Sequence, residues 1–139
     1  MTIKNDIGLL LNEVDDEFSP SLSSRMIIPE YISKLVDNAT IFSIYDNGCL
    51  SAFAAMYCND LKTKTGYLAM IAVDKKSRGK GLGFNLLQTC VNHLKNIHFD
   101  TFKLEVYKNN LNAVAQYRRF GFDVVYETNS SLFMAVRVV

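Results

Sequence analysis

Apolar positions along the chain fall into two periods, and each change of period marks an element. Ile7, Leu10, Leu11 and Val14 recur at helical spacing and predict a helix within residues 6–17, where the acidic run Asp15-Asp16-Glu17 follows. Ser19-Pro20-Ser21 breaks the pattern. Pro29 is suited to open a second helix, whose apolar face is Tyr31, Ile32, Leu35 and Val36. The period then shortens. Residues 40–45 are β-prone, Asn47-Gly48 is a turn pair that tolerates positive φ, and residues 50–57 are apolar and aromatic, which predicts a hairpin. Residues 59–66 read as a polar loop and 67–73 as a buried strand. Leu82, Leu86, Leu87, Cys90, Val91 and Leu94 return to helical spacing and predict an amphipathic helix over 82–95. A strand over 102–107 and a short helix over 112–120 follow, with Gly121 placed as a left-handed cap. Residues 124–127 and 132–138 predict a last strand pair. This order predicts a mixed α/β domain with helices against a largely antiparallel sheet.

The length, 139 residues, suits a single domain over 1–139. Fifteen Lys and Arg against 14 Asp and Glu leave a net charge of +1, too balanced for a phosphate-backbone footprint, so nucleic acid is not expected as a partner. Cys49, Cys58 and Cys90 make an odd count without C-x-x-C spacing, which argues against a disulfide framework and a metal site. Met1-Thr2-Ile3-Lys4-Asn5-Asp6 lacks a signal-peptide pattern, and no apolar run reaches about 18 residues. The expectation is a cytoplasmic protein with no membrane partner.

Candidate chemistry concentrates in Ile71-Ala72-Val73-Asp74-Lys75-Lys76-Ser77-Arg78-Gly79-Lys80-Gly81-Leu82-Gly83. An apolar strand runs into a basic glycine-rich loop and straight on into a helix. Glycines remove the Cβ atoms that keep a ligand off the backbone, and successive amides at a helix N-terminus attract an anion. Arg78 and Lys80 add full charges, so the loop suits a pyrophosphate. It is not G-x-x-x-x-G-K-[ST], and its glycines alternate at 79, 81 and 83 instead of following G-x-G-x-x-G. Taken alone, such a loop is equally a tight strand-to-helix turn without a ligand.

Asn110-Leu111-Asn112-Ala113-Val114-Ala115-Gln116-Tyr117-Arg118-Arg119-Phe120-Gly121-Phe122 follows the strand Leu104-Glu105-Val106. With the glycine loop, this segment resembles the GNAT acetyltransferase superfamily. The cofactor motif [RQ]-x-x-G-x-[GA] is matched by Arg78, Gly81 and Gly83. The motif N-x-x-A-x-x-x-Y-x-x-x-G-F is matched by Asn110, Ala113, Tyr117, Gly121 and Phe122 with every spacing kept. The resemblance covers residues 40–135. It implies a GNAT-like, largely antiparallel twisted sheet with splayed middle strands and about four flanking helices. It also implies acetyl-CoA as co-substrate, no metal, and direct attack by an amine in a ternary complex.

On that resemblance, Ile71 and Val73 offer main-chain bonds to the pantetheine arm, and Arg78, Gly79, Lys80, Gly81, Leu82 and Gly83 hold its pyrophosphate. A backbone N–H near Ile71 meets the thioester oxygen. Asn110 bonds the cofactor or holds the strand-to-helix turn. Tyr117 protonates the departing thiolate, because a phenol of pKa about 10 keeps its proton at neutral pH; the competing reading is packing. Many members carry a glutamate on the strand before the loop, and residues 67–73 contain no acid. Glu105, on the neighbouring strand, and Asp60, in the loop beside the expected acceptor cleft, are the candidate bases. Their plainer readings are a strand-face carboxylate and a solvated loop acid. Cys90 reads as core, His93 and His98 as helix-end residues, and Lys75 and Lys76 as a solvated face.

The acceptor is expected to be the primary amine of a small molecule, met by residues 6–37 and 57–66. Ser21-Leu22-Ser23-Ser24-Arg25 and Tyr31-Ile32-x-Lys34-Leu35 loosely resemble small acetyltransferases of bacterial surface-polysaccharide pathways. That implies an amino sugar nucleotide, with Arg25 or Lys34 meeting its phosphates. A protein amine as acceptor, a catalytically silent acyl-CoA-binding module and a homodimeric assembly are left open.

Overall fold

The computed structural model describes residues 2–18 and 20–138. Met1, Ser19 and Val139, which enter the N-terminal, chain-break and domain-boundary readings above, lie outside the described residues. The elements are α1 (Ile3–Val14), α2 (Leu22–Arg25), α3 (Ile28–Asn38), β1 (Thr40–Asp46), β2 (Cys49–Asp60), β3 (Thr65–Val73), α4 (Leu82–Asn96), β4 (Thr101–Tyr107), α5 (Leu111–Phe120), β5 (Asp123–Glu127) and β6 (Ser131–Arg137). The six strands form one sheet in the order β1-β2-β3-β4-β6-β5, antiparallel everywhere except between β3 and β4.

Three expectations change. The first helix starts at Ile3, where Thr2 Oγ1 caps it by accepting from Asn5 N, and ends at Val14; Asp15–Glu17 form a separate 3₁₀ turn. Five α-helices stand among the described residues instead of about four, because α2 forms within the segment after the break. Half of residues 59–66 are strand. β2 runs to Asp60 and β3 starts at Thr65, leaving a four-residue turn in which Lys64 takes φ +54°. The polarity of that stretch reflects an exposed hairpin end, not a missing ladder. The Asn47-Gly48 turn forms as expected, with φ of +52° and +79°.

Two cores lie on the two faces of the sheet. Ala52, Ala54 and Met56 of β2 face α4, packing with Leu86, Cys90 and Leu94, whereas Phe53 and Ala55 face α1 and α3, packing with Ile7, Leu11 and Leu35. Strict alternation along β2 thus feeds both layers. Along β3 the alternation fails once. Ala55 pairs with Met70 and Met56 with Leu68, so Ala69 is an extra residue on β3. Before this bulge Leu68 faces α4; after it Met70 and Ala72 face α1 and α3. One inserted residue exchanges the two faces of the strand.

The bulge coincides with a parting of the sheet. β3 and β4 pair from Thr65↔Thr101 to Leu68↔Leu104 and no further, while β4 stays paired with β6 as far as Tyr107↔Ser131. Residues 69–73 and 105–107 therefore diverge, as the resemblance implied.

Close packing holds the joined end of this fork. A Cβ on Gly66 would stand 2.6 and 2.8 Å from the Leu94 methyl carbons, and Leu94 is fully buried. Gly66→Ala should therefore destabilise the protein by about 1–3 kcal/mol, the usual cost of overpacking. Urea titration of Gly66→Ala, Leu94→Ala and the double variant checks it. The two losses should sum to clearly more than the loss of the pair, since truncating Leu94 makes room for the new methyl.

Candidate active site

The fork between β3 and β4 opens into a cleft of about 1070 Å³ that runs through the sheet. Its two ends differ, because the two faces carry different elements. Ile71, Leu82, Ala113 and Tyr117 belong to the face covered by α4 and α5. Tyr31, Tyr67, Glu105 and Tyr107 line the part facing α2 and α3. On β4, Leu104 and Val106 are buried in the α4 core, so Glu105 and Tyr107 stand on the opposite face.

On the α4 side, the glycine loop has the form an anion needs. Gly79 and Gly81 take φ of +78° and +76°, and Gly81 is the N-cap of α4 with no side-chain cap bond. The first amides of a helix have no partners within it. No heavy atom lies within 4 Å of the positions a Cβ would take on Gly79, Gly81 or Gly83, outside their chain neighbours and, for Gly83, the backbone of α4. Gly79, Gly81, Leu82 and Gly83 all line the cleft. This open cradle at the positive end of a helix fits a pyrophosphate, and the unpaired stretch 69–73 fits an extended amide-bearing arm.

Arg78 and Val73 line the cleft but are engaged with protein groups. The Arg78 guanidinium donates to the Val73 carbonyl oxygen at 3.0 and 3.3 Å and pairs with Glu17. The expected phosphate ligand is thus folded back onto the end of β3, and one of the expected main-chain acceptors is already satisfied. Lys80 is exposed and is not part of the cleft wall. Lys75, expected as solvated, lies 3.7 Å from Asp16 and 3.8 Å from Glu17, and its N–H donates to Glu13 at 3.0 Å. Asn110 caps α5 by accepting from Ala113 N at 3.3 Å while lining the cleft.

Tyr117 projects from α5 into this half of the cleft and packs edge-on against Phe122 with ring centroids 5.8 Å apart. Burial pushes its phenol up to about 12. The hydroxyl therefore keeps its proton across the working range. Buried Cys90 is likewise held as a neutral thiol, raised to about 12 chiefly by desolvation, which suits a core residue and not a nucleophile.

The two candidate bases separate. Glu105 lies one residue past the last β3–β4 pair, at the fork itself, and lines the cleft. Its charge helps raise the pKa of Tyr67, after the larger effect of burial. Asp60 is corrected: it sits at the far end of β2, outside the cleft, where its carboxylate accepts from Thr63 N at 3.1 Å. Hydrogen bonding to Thr63 lowers its pKa. Asp60 closes a turn.

Other cleft residues are brought to it by contacts between distant segments. Tyr31 donates its hydroxyl to the carbonyl of the bulged Ala69 at 3.3 Å, and desolvation, then Tyr57, raises its pKa to about 12. The Arg25 guanidinium lies 5.1 Å from the centre of the Tyr107 ring. Lys34, the alternative to Arg25, is exposed on α3 and does not line the cleft. Glu17 could have been found by charge, since an acidic run and a basic loop invite pairing. Among the described residues, no three His, Cys, Asp or Glu side chains stand close enough to hold a metal ion.

Comparison with known proteins agrees with this geometry. A probable spermine N(1)-acetyltransferase from Bacillus subtilis subsp. natto (strain BEST195) is 33% identical over 85 residues, which are 57% of this chain and 56% of that protein; the match thus spans about half the relative's length. The structure of the ribosomal-protein-S18-alanine N-acetyltransferase from Escherichia coli superposes with a TM-score of 0.74 at 22% identity, covering 99% of this chain and 90% of the other. A GNAT family acetyltransferase from Elizabethkingia anophelis, solved with acetyl-CoA bound, gives 0.67 at 16% identity, covering 78% and 82%. The sequence model of the Acetyltransferase (GNAT) family matches residues 9–122, most of the chain from α1 to the Gly121-Phe122 motif. With the splayed strands, the glycine cradle and Tyr117 in one cleft, the chain belongs to the GNAT acetyltransferase family.

Proposed function

We propose that this cleft transfers an acetyl group from acetyl-CoA to the primary amine of a small molecule, with an amino sugar nucleotide as the acceptor. The observation that carries the transfer reading is the fork at Leu68 and Leu104, which joins a glycine-lined anion cradle on one face of the sheet to an aromatic compartment on the other. When bound, the cofactor supplies an acetyl thioester. Gly79, Gly81, Leu82 and Gly83 hold its pyrophosphate through their amides, and the unpaired backbone around Ile71 holds its arm. Arg78 and Val73 join them only if the Arg78–Val73 contact opens; Lys80 contributes long-range charge from outside the wall.

Glu105 receives the proton of the incoming ammonium at the mouth of the fork. Tyr117, from the opposite face, donates its O–H toward the sulfur as charge builds there. Full proton transfer is not required. A phenol near 12 is a weaker acid than a thiol of about 8.5, so the hydroxyl acts mainly as a hydrogen-bond donor. The relative named for spermine and the neighbour named for a ribosomal protein widen the amines worth testing.

Binding and chemistry can be tested separately. Gly83 lies in the first turn of α4 at an ordinary φ with open space above it. Gly83→Ala should leave the protein as stable or more stable, by up to about 1 kcal/mol, since alanine is the better helix residue. The same methyl should weaken acetyl-CoA binding, seen in calorimetry as a lost or greatly reduced heat and in melting as a lost ligand-induced shift. Normal binding by Gly83→Ala would remove the cradle from the pyrophosphate site.

Tyr117→Phe should slow single-turnover acetyl transfer by about 10- to 100-fold, the low end for an acid-catalytic group, with acetyl-CoA affinity unchanged. The sign of the pKa shift sets the pH profile. Because the phenol is raised and stays protonated, the wild-type to Tyr117→Phe ratio should be flat between about pH 6 and 10. Glu105→Gln should instead slow single-turnover transfer while acetyl-CoA affinity stays unchanged, since it removes the proton acceptor and leaves the cradle intact. If CoA binds but no amine releases thiol, the site is a silent acyl-CoA-binding module.

A further inference from the structure

The compartment on the α2–α3 side carries two charges of opposite sign. Glu105 stands at the fork, and Arg25, at the end of α2, reaches over Tyr107. Among the described residues neither has an acidic or basic partner within 4 Å, in contrast to Arg78, Lys75 and Glu17 at the other end. Tyr107 and Glu105 are same-face neighbours on β4, so the strand that carries Glu105 also carries the ring beside which Arg25 lies.

An arginine seated on a ring keeps its N–H edge available. The guanidinium meets the π-face through its flat side, and its in-plane donors can still take a bidentate anion. Tyr107 therefore gives the Arg25 guanidinium a ring to lie over without satisfying its hydrogen bonds. Tyr31, Tyr67 and Met26 complete an apolar, aromatic wall around it.

Resting on the acetyl-transfer reading, we propose that Arg25 is the specificity-determining residue of the acceptor site. It selects an amine that also carries an anionic group, a phosphate or carboxylate. The ammonium goes to Glu105 and the anion to Arg25. One exclusion follows. Polyamines place a second cation against Arg25 and are rejected. This distinguishes the chain from the relative named for spermine.

Binding of acceptors in the presence of CoA tests this without requiring turnover. The probes are a UDP-linked amino sugar, glucosamine 6-phosphate, glucosamine, an α-amino acid and spermidine, titrated by calorimetry into wild type, Arg25→Gln and Tyr107→Leu. A phosphate-bearing amino sugar should bind wild type best and lose about 10- to 100-fold in Arg25→Gln, the range for a charge-assisted hydrogen bond. Tyr107→Leu should lose less, having lost only the support of the guanidinium. Glucosamine should bind all three alike, and spermidine should bind Arg25→Gln better than wild type. Tighter binding of spermidine than of every anionic amine by wild type overturns the proposal, as does undiminished anionic affinity in Arg25→Gln. Thiol release from acetyl-CoA with the same panel is read in parallel: its absence beside intact charge selection overturns the transfer reading and leaves Arg25 as the anion-reading residue.

Discussion

The bulge at Ala69 is the constraint on which the rest of this molecule depends. A strand feeding two cores must alternate strictly, and β2 does so from Ala52 to Met56. β3 cannot, because one extra residue between Leu68 and Met70 reverses its faces. The reversal turns Met70 and Ala72 toward α1 and α3 and puts Ile71 and Val73 against the α4–α5 core. It also coincides with the end of pairing to β4. Unpaired backbone inside a protein is normally costly, since each buried N–H or C=O needs a partner. Here it borders an open cleft, and Tyr31 satisfies one of the freed carbonyls, that of Ala69.

Because the fork passes through the sheet, the two halves of the site are built by different parts of the chain. α4, α5 and the glycine loop supply the anion cradle and Tyr117, while α2, α3 and the outer face of β4 supply the aromatic compartment and Glu105. Neither half is complete by itself. The Glu13-to-Glu17 stretch joins them by pairing with Lys75 and Arg78 beside the cradle. These are exposed or partly exposed ion pairs, each worth little to stability, so their effect is on placement. They direct Arg78 to Val73 and Glu17.

Much of the architecture was legible because it rests on local physics. Helical spacing at Leu86, Cys90 and Leu94, the Asn47-Gly48 turn and the glycines at 79, 81 and 83 each report an element without any distant contact. Errors arose where polarity was taken for irregularity. Residues 59–66 are polar because the β2–β3 hairpin end is exposed, and the turn occupies only the four residues 61–64. Asp60 was misplaced for the same reason: a loop acid beside the cleft proved to be a turn-closing carboxylate at the opposite end of β2.

What the sequence by itself determined is the cofactor half. Its residues fall in two short runs, 71–83 and 110–122, so local spacing places the glycine loop directly before α4 and Tyr117 on the short helix α5. Which of Glu105 and Asp60, and which of Arg25 and Lys34, lines the cleft was decided only by the tertiary structure. Each of those four is a lone charge in an ordinary local pattern. Whether it reaches the cleft depends on the one-residue bulge, on where β3 and β4 part, and on α2 folding over Tyr107. Those are pairings between segments as much as 82 positions apart, from Arg25 to Tyr107, and no local period or motif encodes them.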